Sequence, residues 1–217
     1  MIVTKQKPLE EILNFLKDYE AIFLIGCRLC AAMYDTGGLP QVKEMGEKLK
    51  ARGKTITGFS AIAALCHGKN VEKELSERAR EVDAAQSILV LACGEGVQVV
   101  SEISAKSVYP ALDTLFLGGI TENRRFEEHC SLCGECILNL TGGICPVTRC
   151  AKGILNGPCG GVNEGKCEVG NGRECVWVLI HDRLKSQGKL DNIKDIFDPK
   201  DFSKALHPHY LSEEGDK

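Results

Sequence analysis

The chain has 217 residues, of which 43% are hydrophobic and 26% charged, with a formal net charge of −3. These shares are those of an ordinary folded protein, and the near-neutral balance excludes the basic footprint of a nucleic-acid binder. The longest apolar runs, Ile88 to Cys93 among them, are strand length and far short of the roughly 18 residues that span a bilayer.

The N-terminus, Met1 to Glu11, has neither the apolar segment nor the small-residue cleavage site of an export signal. The expected location is therefore cytoplasmic. In that reducing compartment clustered cysteines mean metal or catalysis rather than disulfides. Pro8 opens a helix carrying Leu9, Ile12, Leu13 and Leu16 at spacings of three and four. Ala21 to Ile25 is a short continuous apolar run that fits a buried parallel strand. A second helix runs from Leu39 to about Ala51 and stops at Gly53. Thr55 to Phe59 is the second strand, and Asn70 is a good N-cap for a charged helix through Val82. Ser87 to Ala92 is the third and clearest strand. Gly94 to Ser104 reads as helix, and Ser107 to Ala111 as a weaker fourth strand. This alternation predicts an α/β domain over residues 1–118 with a small, Rossmann-like parallel sheet and right-handed crossovers.

Twelve cysteines punctuate that plan. Cys27 and Cys30 follow the first strand, Cys66 follows the second after a short loop, and Cys93 follows the third directly. In a parallel sheet those strand ends share one edge, which is also where open α/β sheets bind ligands. The four thiols are thus expected to meet there as the ligands of one [4Fe–4S] cluster. Taken singly, Cys66 and Cys93 also suit small buried apolar positions. Gly94-Glu95-Gly96 lacks the third glycine of a dinucleotide fingerprint, since Val99 stands there. A tight turn beside Cys93 is the better reading.

The other eight, Cys130, Cys133, Cys136, Cys145, Cys150, Cys159, Cys167 and Cys175, crowd into 46 consecutive positions. Eight thiols are enough for two four-coordinate metal sites, so residues 119–190 are expected to form a glycine-rich, irregular metal-binding domain. Cys130-Ser-Leu-Cys133-Gly-Glu-Cys136 has an iron–sulfur spacing, and Cys145-Pro146 adds a cysteine–proline pair. Eight residues separate Cys136 from Cys145 where ferredoxins have three, so a ferredoxin's ligand grouping does not transfer. Zinc is the rival, because Cys₄ zinc sites use the same Cys-x-x-Cys unit. For the fourth ligand beside Cys130, Cys133 and Cys136, this reading leaves Cys145, Cys167 and Cys175 open. His67 and His129 adjoin cysteines but read as surface or capping residues.

From Cys175 to Leu184 the apolar positions Val176, Leu179, Ile180 and Leu184 have helical spacing, with Trp177 off that stripe. A core role for Trp177 is expected ahead of a partner contact. Residues 191–217 form a polar extension, with Ile193, Ile196, Phe197, Phe202 and Leu206 placed to wrap its own domain or a neighbour, and a disordered tail after Ser212.

Four segments carry a resemblance: His129 to Cys136, Thr141 to Lys152, Gly157-Pro-Cys-Gly-Gly161 and Gly165-Lys-Cys-Glu168. They resemble the cysteine-rich C-terminal module of methylenetetrahydrofolate reductases. With Gly26-Cys-Arg-Leu-Cys30, Val90 to Gly94 and Val108 to Gly118, the chain is similar to the small iron–sulfur or zinc subunit of two-subunit bacterial reductases. That resemblance implies up to three [4Fe–4S] clusters, with zinc an alternative at the C-terminal sites. It also implies a partner, a flavin-bearing barrel subunit of the acetyl-CoA type of one-carbon metabolism. Ferredoxin or a larger redox complex would be the electron donor. The chain would then be a non-catalytic subunit of an oxidoreductase. A (β/α)₈ barrel needs at least about 200 residues of its own, and no nucleophile–base constellation is present. Two other readings stay open: a zinc-stabilised scaffold of the same reductase, and an electron-transfer subunit of another flavoenzyme.

Overall fold

The computed structural model describes residues 1–121, 123, 125–170 and 172–209. The chain divides into two compact units, Met1–Gly118 and Gly119–Lys217.

In the first unit β1 (Ile2–Gln6) and α1 (Leu9–Phe15) lead into β2 (Ala21–Cys27), α2 (Cys30–Met33) and α3 (Leu39–Lys50). There follow β3 (Thr55–Ile62), α4 (Gly68–Glu77), α5 (Ala79–Ala84), β4 (Ser87–Leu91), α6 (Gly94–Ile103), β5 (Ser107–Pro110) and β6 (Leu112–Ile120). The parallel sheet has the order β3-β2-β4-β5. Its central strands are continuous apolar runs because helices cover both faces. All five residues of β4 are buried, as are Ile22 to Cys27 of β2. Val42, Met45 and Leu49 of α3 and Val100 of α6 complete the core. The period of 3.6 places each set on one helix face.

β1 and β6 lie outside the sequence reading. They pair antiparallel, Ile2 with Leu117 through Gln6 with Leu112, with an irregularity between Val3 and Thr4. Two strands more than a hundred residues apart carry no local turn signal that would announce the pair. β2 and β3 each run past their expected ends, to Cys27 and Ile62. Asn70 is not a cap. Extended His67 holds the N-cap position of α4, and Asn70 Nδ2 donates back to the Ala63 carbonyl at 3.0 Å. The expected charged helix is also two helices, broken at Arg78, whose guanidinium pairs with Glu74 at 2.7 Å and Glu81 at 3.0 Å. The break lets Glu81 lie over Gly58 of β3, where an added β-carbon would come within 2.7 Å of the carboxyl carbon.

β6 is followed by β7 (Phe126–Cys130), its neighbour in the sheet β1-β6-β7, and Thr121 N–H donates to the Arg125 carbonyl at 2.9 Å. The second unit then has α7 (Pro146–Arg149), β8 (Val162–Asn163), β9 (Lys166–Cys167), α8 (Val176–Ser186) and two 3₁₀ turns, Leu190–Ile193 and Phe202–Ala205. Its small core gathers Ile144, Cys175, Val176, Trp177, Ile180 and Leu184. Trp177 is buried, and its indole N–H donates to the Ile154 carbonyl at 3.0 Å. It is a core residue, as expected, although it stands off the helical stripe. Of the C-terminal extension, Ile193 and Phe197 pack on this core, whereas Ile196, Phe202 and Leu206 are exposed. The tail after Ser212 lies outside the described residues.

Candidate metal centres

The first group of cysteines stands at the C-terminal ends of three adjacent parallel strands. Cys27 ends β2, Cys30 starts α2, Cys66 follows β3, and Cys93 is the N-cap of α6 just beyond β4. Arg28 N–H donates to the Ile62 carbonyl at 2.8 Å, which ties the Cys27–Cys30 turn to the end of β3. Burial pushes the Cys66 thiol up, and the charges of Cys93, Cys27 and Cys30 push it the same way. The residue as a whole is exposed. Like charges drawn together disfavour ionisation unless a cation joins them. Burial also raises the phenol of Tyr34, and Cys30 adds to that shift.

Three glycines make this arrangement fit. A β-carbon on Gly26 would fall on the Gly37 carbonyl oxygen and on Val42 Cγ2. On Gly37 it would strike the Leu91 carbonyl and lie 2.9 Å from Ala31 Cβ. The loop after α2 is thereby laid directly on the ends of β2 and β4. Gly96 does the same for α6, where a β-carbon would sit 3.1 Å from Leu65 Cβ, beside Cys66. The glycine pair after β4 is thus a close-packing device. Gly94 N–H donates to Thr114 Oγ1 at 2.8 Å, so a hydroxyl from β6 fixes the turn. Nothing in the sequence pattern singles out Thr114.

The second group occupies the second unit. Cys130 ends β7, and Cys133 and Cys136 follow in a loop with left-handed backbone at Leu132 (φ 57°) and Gly134 (φ 72°). That geometry aims Leu132 N–H at Cys130 Sγ, 3.4 Å away. Amide donors of this kind stabilise thiolates and tune a bound metal. Cys145 is the N-cap of α7, which packs against β7. Cys150 ends α7, Cys159 lies in the Gly157–Gly161 turn, Cys167 is in β9, and Cys175 is the N-cap of α8. The Cys159 thiol is held below its usual range, first by the Gly161 N–H and further by Lys152. The Lys152 ammonium is 3.7 Å from Cys159 Sγ. Cys150, Cys159, Cys167 and Cys175 all line one cavity. Lys152 is the neighbour that sequence reasoning missed, since a lone lysine beside cysteines carries no spacing signal.

Among the described residues, no three His, Cys, Asp or Glu side chains close on one point that could hold a metal ion. A single ion bonded at about 2.3 Å draws its sulfurs to about 3.8 Å from one another. A cluster is larger than an ion and takes its thiolates farther apart. All twelve cysteines are free thiols, and thiolates are the donors that iron–sulfur clusters and zinc prefer.

Fold and cysteine placement define a two-part protein, a parallel α/β unit followed by an irregular cysteine-containing one. The family model described as methylene-tetrahydrofolate reductase C terminal matches residues 109–203. The match spans less than half of the chain and gives a general link to that enzyme system. The match takes in all eight distal cysteines and leaves out Cys27, Cys30, Cys66 and Cys93. No curated protein and no solved structure matches the chain. Among the described residues, no helix is long and apolar enough to cross a membrane.

Proposed function

We propose that this chain is the electron-transfer subunit of a methylenetetrahydrofolate reductase, exchanging electrons with the flavin of a separate barrel subunit in one-carbon metabolism. The observation that carries this reading is the position of Cys27, Cys30, Cys66 and Cys93 at or just beyond the C-terminal ends of three adjacent strands of one parallel sheet. The family match to the cysteine-rich half supports it. The donor set suits iron and sulfide: all-thiolate ligands, with two from one turn and one from each neighbouring strand end. Iron–sulfur clusters held by such ligands supply one-electron transfer. The residues of this chain would fix the ligands, exclude water with the Ile25, Leu91 and Leu65 core, and offer amide donors to sulfur.

The test uses the full chain, purified without oxygen and mixed with a flavin-bearing barrel subunit. Stopped-flow reduction of that flavin by a low-potential donor should be fast with wild-type chain and slow with Cys30→Ala. Iron analysis and visible absorbance should show that the variant has lost one cluster. Equal rates from both chains would remove this site from the electron path. A colourless, zinc-only chain would favour a scaffold role.

A further inference from the structure

The cavity in the second unit is built by backbone. β8 and β9 pair antiparallel, Val162 with Cys167 and Asn163 with Lys166. Glu168 N–H donates to the Gly161 carbonyl at 3.0 Å, which joins the Cys159 turn to the strand of Cys167. Cys167 N–H donates to the Arg173 carbonyl, and Cys175 N–H to the Gly165 carbonyl, both at 2.8 Å. These bonds place Cys159, Cys167 and Cys175 around one space, and Cys150 reaches it from the end of α7. Ile154, Val176 and Trp177 form an apolar wall of the same space.

Charge agrees with that placement. Four thiolates around one cavity repel one another unless a cation sits among them. Lys152 stands 3.7 Å from Cys159 Sγ, and Arg149 and Arg173 line the cavity as well. Cys175 is the N-cap of α8, an 11-residue helix. Cys130, Cys133, Cys136 and Cys145 do not line this cavity. Cys130 ends β7 and Cys145 caps α7, which packs on β7, and Cys133 and Cys136 follow Cys130 in the next loop.

We infer that Cys150, Cys159, Cys167 and Cys175 are the ligands of one four-thiolate metal centre, and that Cys145 completes a separate centre with Cys130, Cys133 and Cys136. The assignment rests on the reading that this unit binds metal, and it decides how the eight thiols are shared. The chemistry is a soft cation or cluster among thiolates, which iron–sulfur and zinc both satisfy.

The experiment counts metal per full-length chain, iron and zinc separately, after anaerobic purification. Cys159→Ser and Cys167→Ser should each remove one step of metal, and the double variant no more than either alone. Cys136→Ser with Cys159→Ser should remove two steps, the additivity of independent sites. In the wild-type chain, stepwise chelation followed by alkylation should expose the four cavity cysteines together, a readout that needs no variant to fold. Additive loss from the Cys159/Cys167 pair, or exposure of Cys145 with the cavity set, would overturn the grouping. A wild-type chain whose second unit holds no metal would overturn the metal reading itself. Which element departs in the Cys159→Ser step says whether the cavity takes a cluster or zinc.

Discussion

Gly37 lies directly against the Leu91 carbonyl: a β-carbon there would strike the oxygen and stand 2.9 Å from the carbonyl carbon. The contact presses the loop after Cys30 onto the end of β4, two residues before Cys93. Neither partner can give way easily, because both atoms met in the strand are backbone. Gly37→Ala should therefore destabilise the first unit by about 1–3 kcal/mol, the usual cost of overpacking. If Cys30 and Cys93 hold a cluster as proposed, it should also lower the iron content of the chain. Urea denaturation and iron analysis check this together, and an unchanged midpoint would show that the loop is free to lift.

Gly46 is the useful contrast. It lies inside α3, and an added β-carbon would find its nearest neighbour, Ile56 Cγ1, at 4.0 Å. Glycine inside a helix costs roughly 0.5–1 kcal/mol relative to alanine. Gly46→Ala should raise stability by about that amount with metal content unchanged. A fall in the denaturation midpoint would contradict the open space seen there.

Trp177 is the chain's only tryptophan, so its fluorescence reports on the second unit alone. The ring rests on Gly157, whose added β-carbon would lie 2.6 Å from Cγ, and it also bonds the Ile154 carbonyl. Trp177→Ala should cost about 3–5 kcal/mol, as for large aromatic deletions in cores. Trp177→Phe should cost less, about 1 kcal/mol of it for the lost hydrogen bond. A wild-type emission maximum typical of an exposed indole would count against the burial.

Lys7 joins α1 to β6 through Asp113 at 2.5 Å and Glu11 at 2.7 Å. Hydrogen bonds to Asp113 and then Glu11 hold its pKa above the ordinary lysine value of 10.5. A folded-state pKa raised in this way stabilises fully below the unfolded value and is lost as pH rises through the folded one. Lys7→Met should therefore unfold at lower denaturant than wild type at pH 7. The gap should close as the pH climbs past the ordinary lysine value of 10.5. A gap that persists unchanged in alkali would assign the effect to packing of the lysine stem.

Sequence by itself determined the alternation of the first unit. β2 and β4 are continuous apolar runs bounded by turn residues, and α3 and α6 carry local periodicity. From that alternation alone Cys27, Cys30, Cys66 and Cys93 fall at strand ends. The spacing of Cys130, Cys133 and Cys136 likewise marks a thiol-rich loop, because two-residue gaps leave the chain no room for a regular element between them. Only the tertiary structure paired Ile2 with Leu117, because register between strands so distant depends on what they bury together. It moved the cap from Asn70 to His67 and split the helix at Arg78, where packing against β3 overrode local propensity. It also decided which thiols share a cavity. Between Thr141 and Gly172 nine glycines leave the backbone without periodicity. There the hydrogen bonds from Glu168 to Gly161 and from Cys175 to Gly165, rather than spacing along the chain, bring Cys159 to Cys175.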